Sequence, residues 1–181
     1  MMESHRQTRR RPLSYRTLVT TLALALTLGI ASAAGSEDGI GSLTISNVAV
    51  SVMNIDRSSK WYAQVLGFRL ATRTTFPTVH AEVAFMTGPG IALELVQVPG
   101  AHRLPELDAA PPAHLLPTGY KAIVFDVDNL AVASKELEEL GVTIVWNQQV
   151  IDPSTGLKST LIRDPDGNLV NLFQRKPRGS Q

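Results

Sequence analysis

The chain has 181 residues, is 44% hydrophobic and 18% charged, and carries a formal net charge of +1. It can bury a core, which excludes a wholly disordered chain, and its near-balanced charge argues against a nucleic-acid partner. It contains no cysteine, which excludes disulfides, thiolate metal sites and a cysteine nucleophile.

Residues 1–33 read as a signal peptide. Arg6 to Arg16 is a basic stretch, Thr17 to Ile30 is an uncharged apolar run too short for a comfortable membrane span, and Ala31-Ser32-Ala33 is an A-x-A cleavage site. Thr8-Arg9-Arg10-Arg11-Pro12-Leu13 partly matches a twin-arginine export motif, with proline where an aromatic residue is usual. The expected location is therefore secreted or periplasmic. The alternative is an uncleaved N-terminal anchor, which would be the sole membrane contact. Residues 34–42 are a short Gly/Ser/Asp linker.

The globular part, 43–176, opens with a strand in LTISNVAVSV, where Val48, Val50 and Val52 alternate with small or polar residues. Asp56 is expected to cap a helix through Leu66, with Trp61, Tyr62, Val65 and Leu66 on its apolar face and Gly67 closing it. Phe68 to Thr74 reads as the next strand. Residues 80–97 read as a hairpin turning at Thr87-Gly88-Pro89-Gly90. Module one, 43–98, is thus β-α-β-β-β.

Residues 99–119 hold five prolines, a poor composition for helix or strand, and read as a linker rather than a flap over a site. Module two, 120–176, repeats the order: a strand at Lys121–Val127, a helix opened by Asp128-Asn129 and closed by Gly141, a strand at Val142–Trp146, and a hairpin over 158–174. The second hairpin turns at Asp164-Pro165-Asp166-Gly167, where proline pre-sets φ and glycine accepts a positive one. Gly90 and Gly167, Glu94 and Asn171, and Gln97 and Gln174 are each 77 residues apart, the mark of an internal repeat. Residues 177–181 are a tail.

Two β-α-β-β-β modules, with VSVMNIDRSSKWYAQVLGF in the first and RDPDGNLVNLF in the second, resemble the vicinal oxygen chelate superfamily. Its members include glyoxalase I, ring-cleaving dioxygenases, methylmalonyl-CoA epimerase, fosfomycin-resistance enzymes and bleomycin-binding proteins. The resemblance implies an α+β fold in which the two modules pair into a cup-shaped half-barrel. It does not fix the reaction, because such a fold hosts many.

In glyoxalase-like members four metal ligands stand at the positions of Asn47, Glu94, Ala122 and Asn171. Only Glu94 matches. Alanine offers no lone pair and asparagine is a weak neutral ligand, whereas a stable catalytic site wants about three protein ligands. The reading therefore assigns no metal and no cofactor.

Symmetric closure of both hairpins would set Val83 opposite Glu94, Thr160 opposite Asn171 and Lys158 opposite Phe173. The expected cup lining is Asn47, Val83, Val96, Ala122, Val124, Lys158, Thr160, Asn171 and Phe173, with Glu94 as the catalytic candidate. A carboxylate amid IALELVQV is costly unless paired or used. The sequence points to a protein binding a small organic molecule without a tightly held metal. The alternative is a lyase, isomerase or dioxygenase-like enzyme, either metal-free with Glu94 as base or with an unusual metal site. A homodimer is compatible with both.

Overall fold

The computed structural model describes residues 43–175. The segments expected to be a signal peptide, a linker (34–42) and a tail lie outside the described residues.

Eight strands and two helices follow in the order β1 (Val48–Ser51), α1 (Ile55–Leu66), β2 (Arg69–Phe76), β3 (Ala81–Thr87), β4 (Ala92–Gln97), β5 (Ala122–Val127), α2 (Leu130–Glu139), β6 (Thr143–Asp152), β7 (Leu157–Arg163) and β8 (Leu169–Gln174). They form two four-stranded mixed sheets, ordered β1-β4-β3-β2 and β5-β8-β7-β6. In each, the first strand runs parallel to the last, and the other pairs are antiparallel. The expected α+β architecture of two βαβββ modules is therefore present.

Each helix starts the same way. Asn54 and Asn129 are the N-caps; Asn54 Oδ1 accepts the N–H of Arg57 at 2.8 Å, and Asn129 Oδ1 accepts that of Val132 at 3.1 Å. The expected cap Asp56 instead sits inside the first turn of α1. A second orphan N–H at each start is met from the module's last strand. Gln97 Oε1 accepts from Ile55 at 2.7 Å, and Gln174 Oε1 from Leu130 at 2.8 Å. One glutamine side chain thus ties helix to sheet in each module.

Ala84, Met86, Leu93 and Leu95 pack with Ile55 and Tyr62 of α1 in one core cluster, and Ile162, Val170 and Leu172 pack with Leu130 and Leu137 of α2 in another. Trp61, Leu66 and Phe125 touch both clusters, so the modules share a core. Phe68 of module one meets Phe125 of module two edge-to-face, with ring centroids 6.2 Å apart. The Phe68 ring occupies the space above Gly88, where an added Cβ would come within 2.3 Å of it.

Both hairpins depart from the expected register. In the first, the strands extend to Thr87 and Ala92 and the loop is Gly88 to Ile91, closed by Gly88 N–H donating to Ile91 O at 3.1 Å. Val83 therefore faces Val96, and Phe85 faces Glu94. The shift is two residues, so every side chain keeps its face. In the second hairpin the loop is Asp164 to Asn168, because the Asp164 carboxylate takes the N–H of Asn168 at 2.8 Å. Leu161 then faces Asn171, and Ser159 faces Phe173. This shift is one residue, and it moves Lys158 and Thr160 to the helix side of the sheet.

Candidate functional site

The turn Asp164–Gly167 is the polar joint of the molecule. Its local geometry is set by Asp164, whose Oδ1 accepts the N–H groups of Asp166 and Asn168 at 2.9 and 2.8 Å. So fixed, the turn reaches α1 of the other module. Asp166 is only 4% exposed; its Oδ2 accepts the Ser58 hydroxyl at 2.7 Å, and its Oδ1 accepts Met53 N–H at 3.2 Å and Arg57 Nη2 at 2.9 Å. Asp164 Oδ2 accepts the Tyr62 hydroxyl at 3.0 Å. Burial, and then the nearby Asp164 charge, push the Tyr62 phenol well above its ordinary range. Burial also raises the Asp164 carboxyl, against the hydrogen bonds from Asn168 and Tyr62 that lower it.

Beside this joint lies a cleft of about 870 Å³ between β1 and β5. Its floor is formed by Asn47 to Met53 and by Tyr120 to Val124, and the turn residues Asp166 to Leu169 close one end. Residues of the proline-rich connection, among them Arg103, Leu104, Leu107 and His114, form another wall. The segment read as a plain linker thus folds against the cleft, with short 3-10 turns at Pro105–Asp108 and Ala113–Leu115. The Arg103 guanidinium lies directly against Gly167, in the space a Cβ would fill. His114 is 7% exposed, and its Nδ1 has no hydrogen-bond partner among the described residues. Burial first, then Lys121 and Arg163, lower the His114 pKa.

The ten expected site residues separate into three groups. Asn47, Ala122 and Val124 line the cleft. Val83, Glu94, Val96, Asn171 and Phe173 lie on the sheet faces turned away from the helices, by alternation with the core residues beside them, but not in the cleft wall. Glu94 stands beside Ala49 on β1 and Phe85 on β3, half-buried, and no hydrogen bond or ion pair engages it among the described residues. Asn171 stands beside Val124 on β5, and its carboxamide oxygen is buried without a partner among the described residues.

Lys158 and Thr160 form the third group and correct the expected lining. Thr160 is fully buried under α2, with its hydroxyl 2.7 Å from that of Ser134 and accepting Gln148 N–H at 3.1 Å. Lys158 is exposed and borders a separate depression of about 290 Å³ at the start of α2. Sequence reasoning also missed Ser58, Tyr62 and Asp166 as partners and His114 as a wall residue. The i, i+4 spacing of Ser58 and Tyr62 on one helical face was the available signal.

A family model for the glyoxalase/bleomycin resistance protein/dioxygenase superfamily matches residues 44–172. The chain belongs to that superfamily. Among curated proteins it is 27% identical over 129 residues to glyoxylase I 4 of Arabidopsis thaliana, covering 71% of this chain and 69% of that one. It is 26% identical over 134 residues to the uncharacterised protein YwbC of Bacillus subtilis, covering 72% of this chain and 97% of that one. Among solved structures, a glyoxalase family protein from Enterococcus faecalis aligns with a TM-score of 0.61 at 22% identity, over 75% of this chain and all of that one. Glyoxalase I of Leishmania major aligns with a TM-score of 0.57 at 20% identity, over 74% of this chain and 87% of that one. These structural likenesses concern the fold.

The family's glyoxalase-type metal can be tested against the residues present. Ala122 has no donor atom, Asn47 and Asn171 offer neutral oxygens, and Glu94 alone supplies charge. Among the described residues no three His, Asp or Glu side chains gather into a metal-holding group. The donor set does not fit that metal.

Proposed function

We propose that this superfamily member binds a small organic molecule in the cleft between its two modules, without a tightly held metal. The supporting observation is the cleft itself. It is concave, of small-molecule size and lined by apolar residues with a few polar ones, as such sites usually are. The basic stretch, apolar run and A-x-A motif of residues 1–33 support export to the periplasm or beyond. A homodimer would be compatible with binding in this cleft.

A second reading makes the protein an enzyme with Glu94 as general base. The unengaged Glu94 carboxylate favours it, as does the name glyoxylase I carried by the Arabidopsis relative. Glu94→Gln separates the two, since it removes basicity while keeping shape: unchanged ligand affinity with lost turnover identifies the enzyme.

The binding reading is tested by a thermal-shift screen of small organic molecules with and without a chelator. A ligand should raise Tm equally in both. Restoring the family pattern with Asn47→His, Ala122→His and Asn171→Glu should then create sub-micromolar metal binding by calorimetry. Wild-type protein that already binds one metal per chain at that affinity, with no gain in the variant, would refute the metal-free reading.

A further inference from the structure

We propose that the cleft takes an organic anion, with an apolar body along its walls and a carboxylate or phosphate head seated by Lys121 and His114. This rests on the binding reading above and adds the chemical class of the ligand.

The charge balance of the cleft points this way. Arg103 lines the cleft but is engaged elsewhere, and the other basic lining residues are His102, His114 and Lys121. Its one carboxylate among the described residues is Asp166, and that group already accepts from Arg57, Ser58 and Met53. Lys121 Nζ donates one hydrogen bond, to Pro117 O. An ammonium has three donors, so two are left for a ligand. A compact, strongly charged lysine suits either a carboxylate or a phosphate. His114 adds to the same wall a buried nitrogen without a partner among the described residues, and buried polar groups are rarely left so.

The remaining surface specifies the rest of the molecule. Ile45, Leu104, Leu107 and Val124 line the cleft yet are 71%, 52%, 46% and 56% exposed. Four large apolar side chains facing water in one concavity fit an apolar body better than a sugar or a peptide backbone. The basic wall and the apolar walls share one space, so one amphiphilic acid satisfies both.

The test uses four probes with one shared alkyl body: decanoate, decyl phosphate, decanol and decylammonium, titrated by calorimetry into the full chain. At least one anion should bind about tenfold or more tighter than decanol, the size expected for a hydrogen bond to a charged group. The tighter of the two anions identifies the head group. Lys121→Gln should weaken the preferred anion about tenfold and leave decanol unchanged, and Lys121→Arg should restore most of the loss. Equal binding of decanol and both anions would overturn the proposal, as would a Lys121→Gln variant that weakens decanol as much as the anion. If none of the four binds while a different neutral molecule stabilises the protein in the screen above, the anion inference falls and the binding reading stands.

Discussion

The two modules share a strand order, a capping asparagine and a glutamine that ties helix to last strand, yet each helix uses its one buried serine differently. In module two, Ser134 meets Thr160 of its own sheet at 2.7 Å. In module one, Ser58 meets Asp166 of the other module at 2.7 Å. The hairpin loops diverge in the same sense. Gly88 to Ile91 carries no acidic side chain and seats the Phe68 ring, whereas Asp164 to Asn168 carries two carboxylates that grip α1. One scaffold thus holds a helix whose buried serine bonds within its own module and a helix whose buried serine is met by the neighbouring module. The shared framework is what lets a loop acquire a joining role without disturbing the sheets.

The strongest way to break this asymmetry is Asp166→Ala. It strands the buried Ser58 hydroxyl and the part-buried Met53 N–H and leaves Arg57 its bond to Pro165 O. Because Arg57 is half exposed, most of the cost comes from the two stranded donors, and the expected loss is about 3 kcal/mol. Pro89→Ala, in the other module's loop, should stay within about 0.5 kcal/mol. Urea denaturation of both variants measures the difference. Equal losses would mean that the turn does not join the modules.

The framework was legible in the sequence because two periodicities carry it. Alternation in Val48-Ala49-Val50 and the Trp61, Tyr62, Val65, Leu66 face marked β1 and α1, and Gly67 marked the stop that its φ of 72° confirms. The face of Glu94 also came out as expected, since a two-residue register error preserves it. The second hairpin did not, because a side chain decided its register: the Asp164 carboxylate takes the Asn168 N–H, while the Asn168 carbonyl accepts the Asp164 N–H. The length of β6 was hidden in a similar way. It runs to Asp152 rather than Trp146, through an irregularity at Gln148, whose φ is 48° and whose N–H donates to Thr160 Oγ1. The cleft wall was hidden because five prolines specify neither helix nor strand and say nothing of where the segment docks.

A smaller effect should carry a pH signature. Asp164 is held above its unfolded value of 3.8, chiefly by burial. A group raised in the fold contributes stability that is present below the unfolded pKa and is lost as pH rises through the folded one. Above that value the charged carboxylate depends on its donors, and the Tyr62 hydroxyl is one of them. Tyr62→Phe should therefore cost about 2 kcal/mol at pH values above the folded pKa of Asp164, where that group is charged, and clearly less below it, where it is protonated. Denaturation series at several pH values check this. A cost independent of pH would show that the hydroxyl acts on packing and not on the Asp164 charge.

The smallest effect expected is at Lys158, where it sharpens the comparison between the faces of module two. Symmetric hairpin closure would aim this lysine into the cup beside Phe173, making it a natural anchor for an anion. The observed register pairs Phe173 with Ser159 instead and puts Lys158 on the helix side, exposed at the start of α2 and away from the cleft. Its ammonium has no buried partner, and surface substitutions away from such features fall within about 0.5 kcal/mol. Lys158→Ala should thus change neither stability nor decanoate affinity, while Thr160→Ala, on the same face but fully buried, should cost about 1–2 kcal/mol by stranding the Ser134 hydroxyl and the Gln148 N–H. The pair of variants tests the one-residue register directly. In the alternative register both side chains would face the cup, and Lys158→Ala would weaken anion binding as much as Lys121→Gln does.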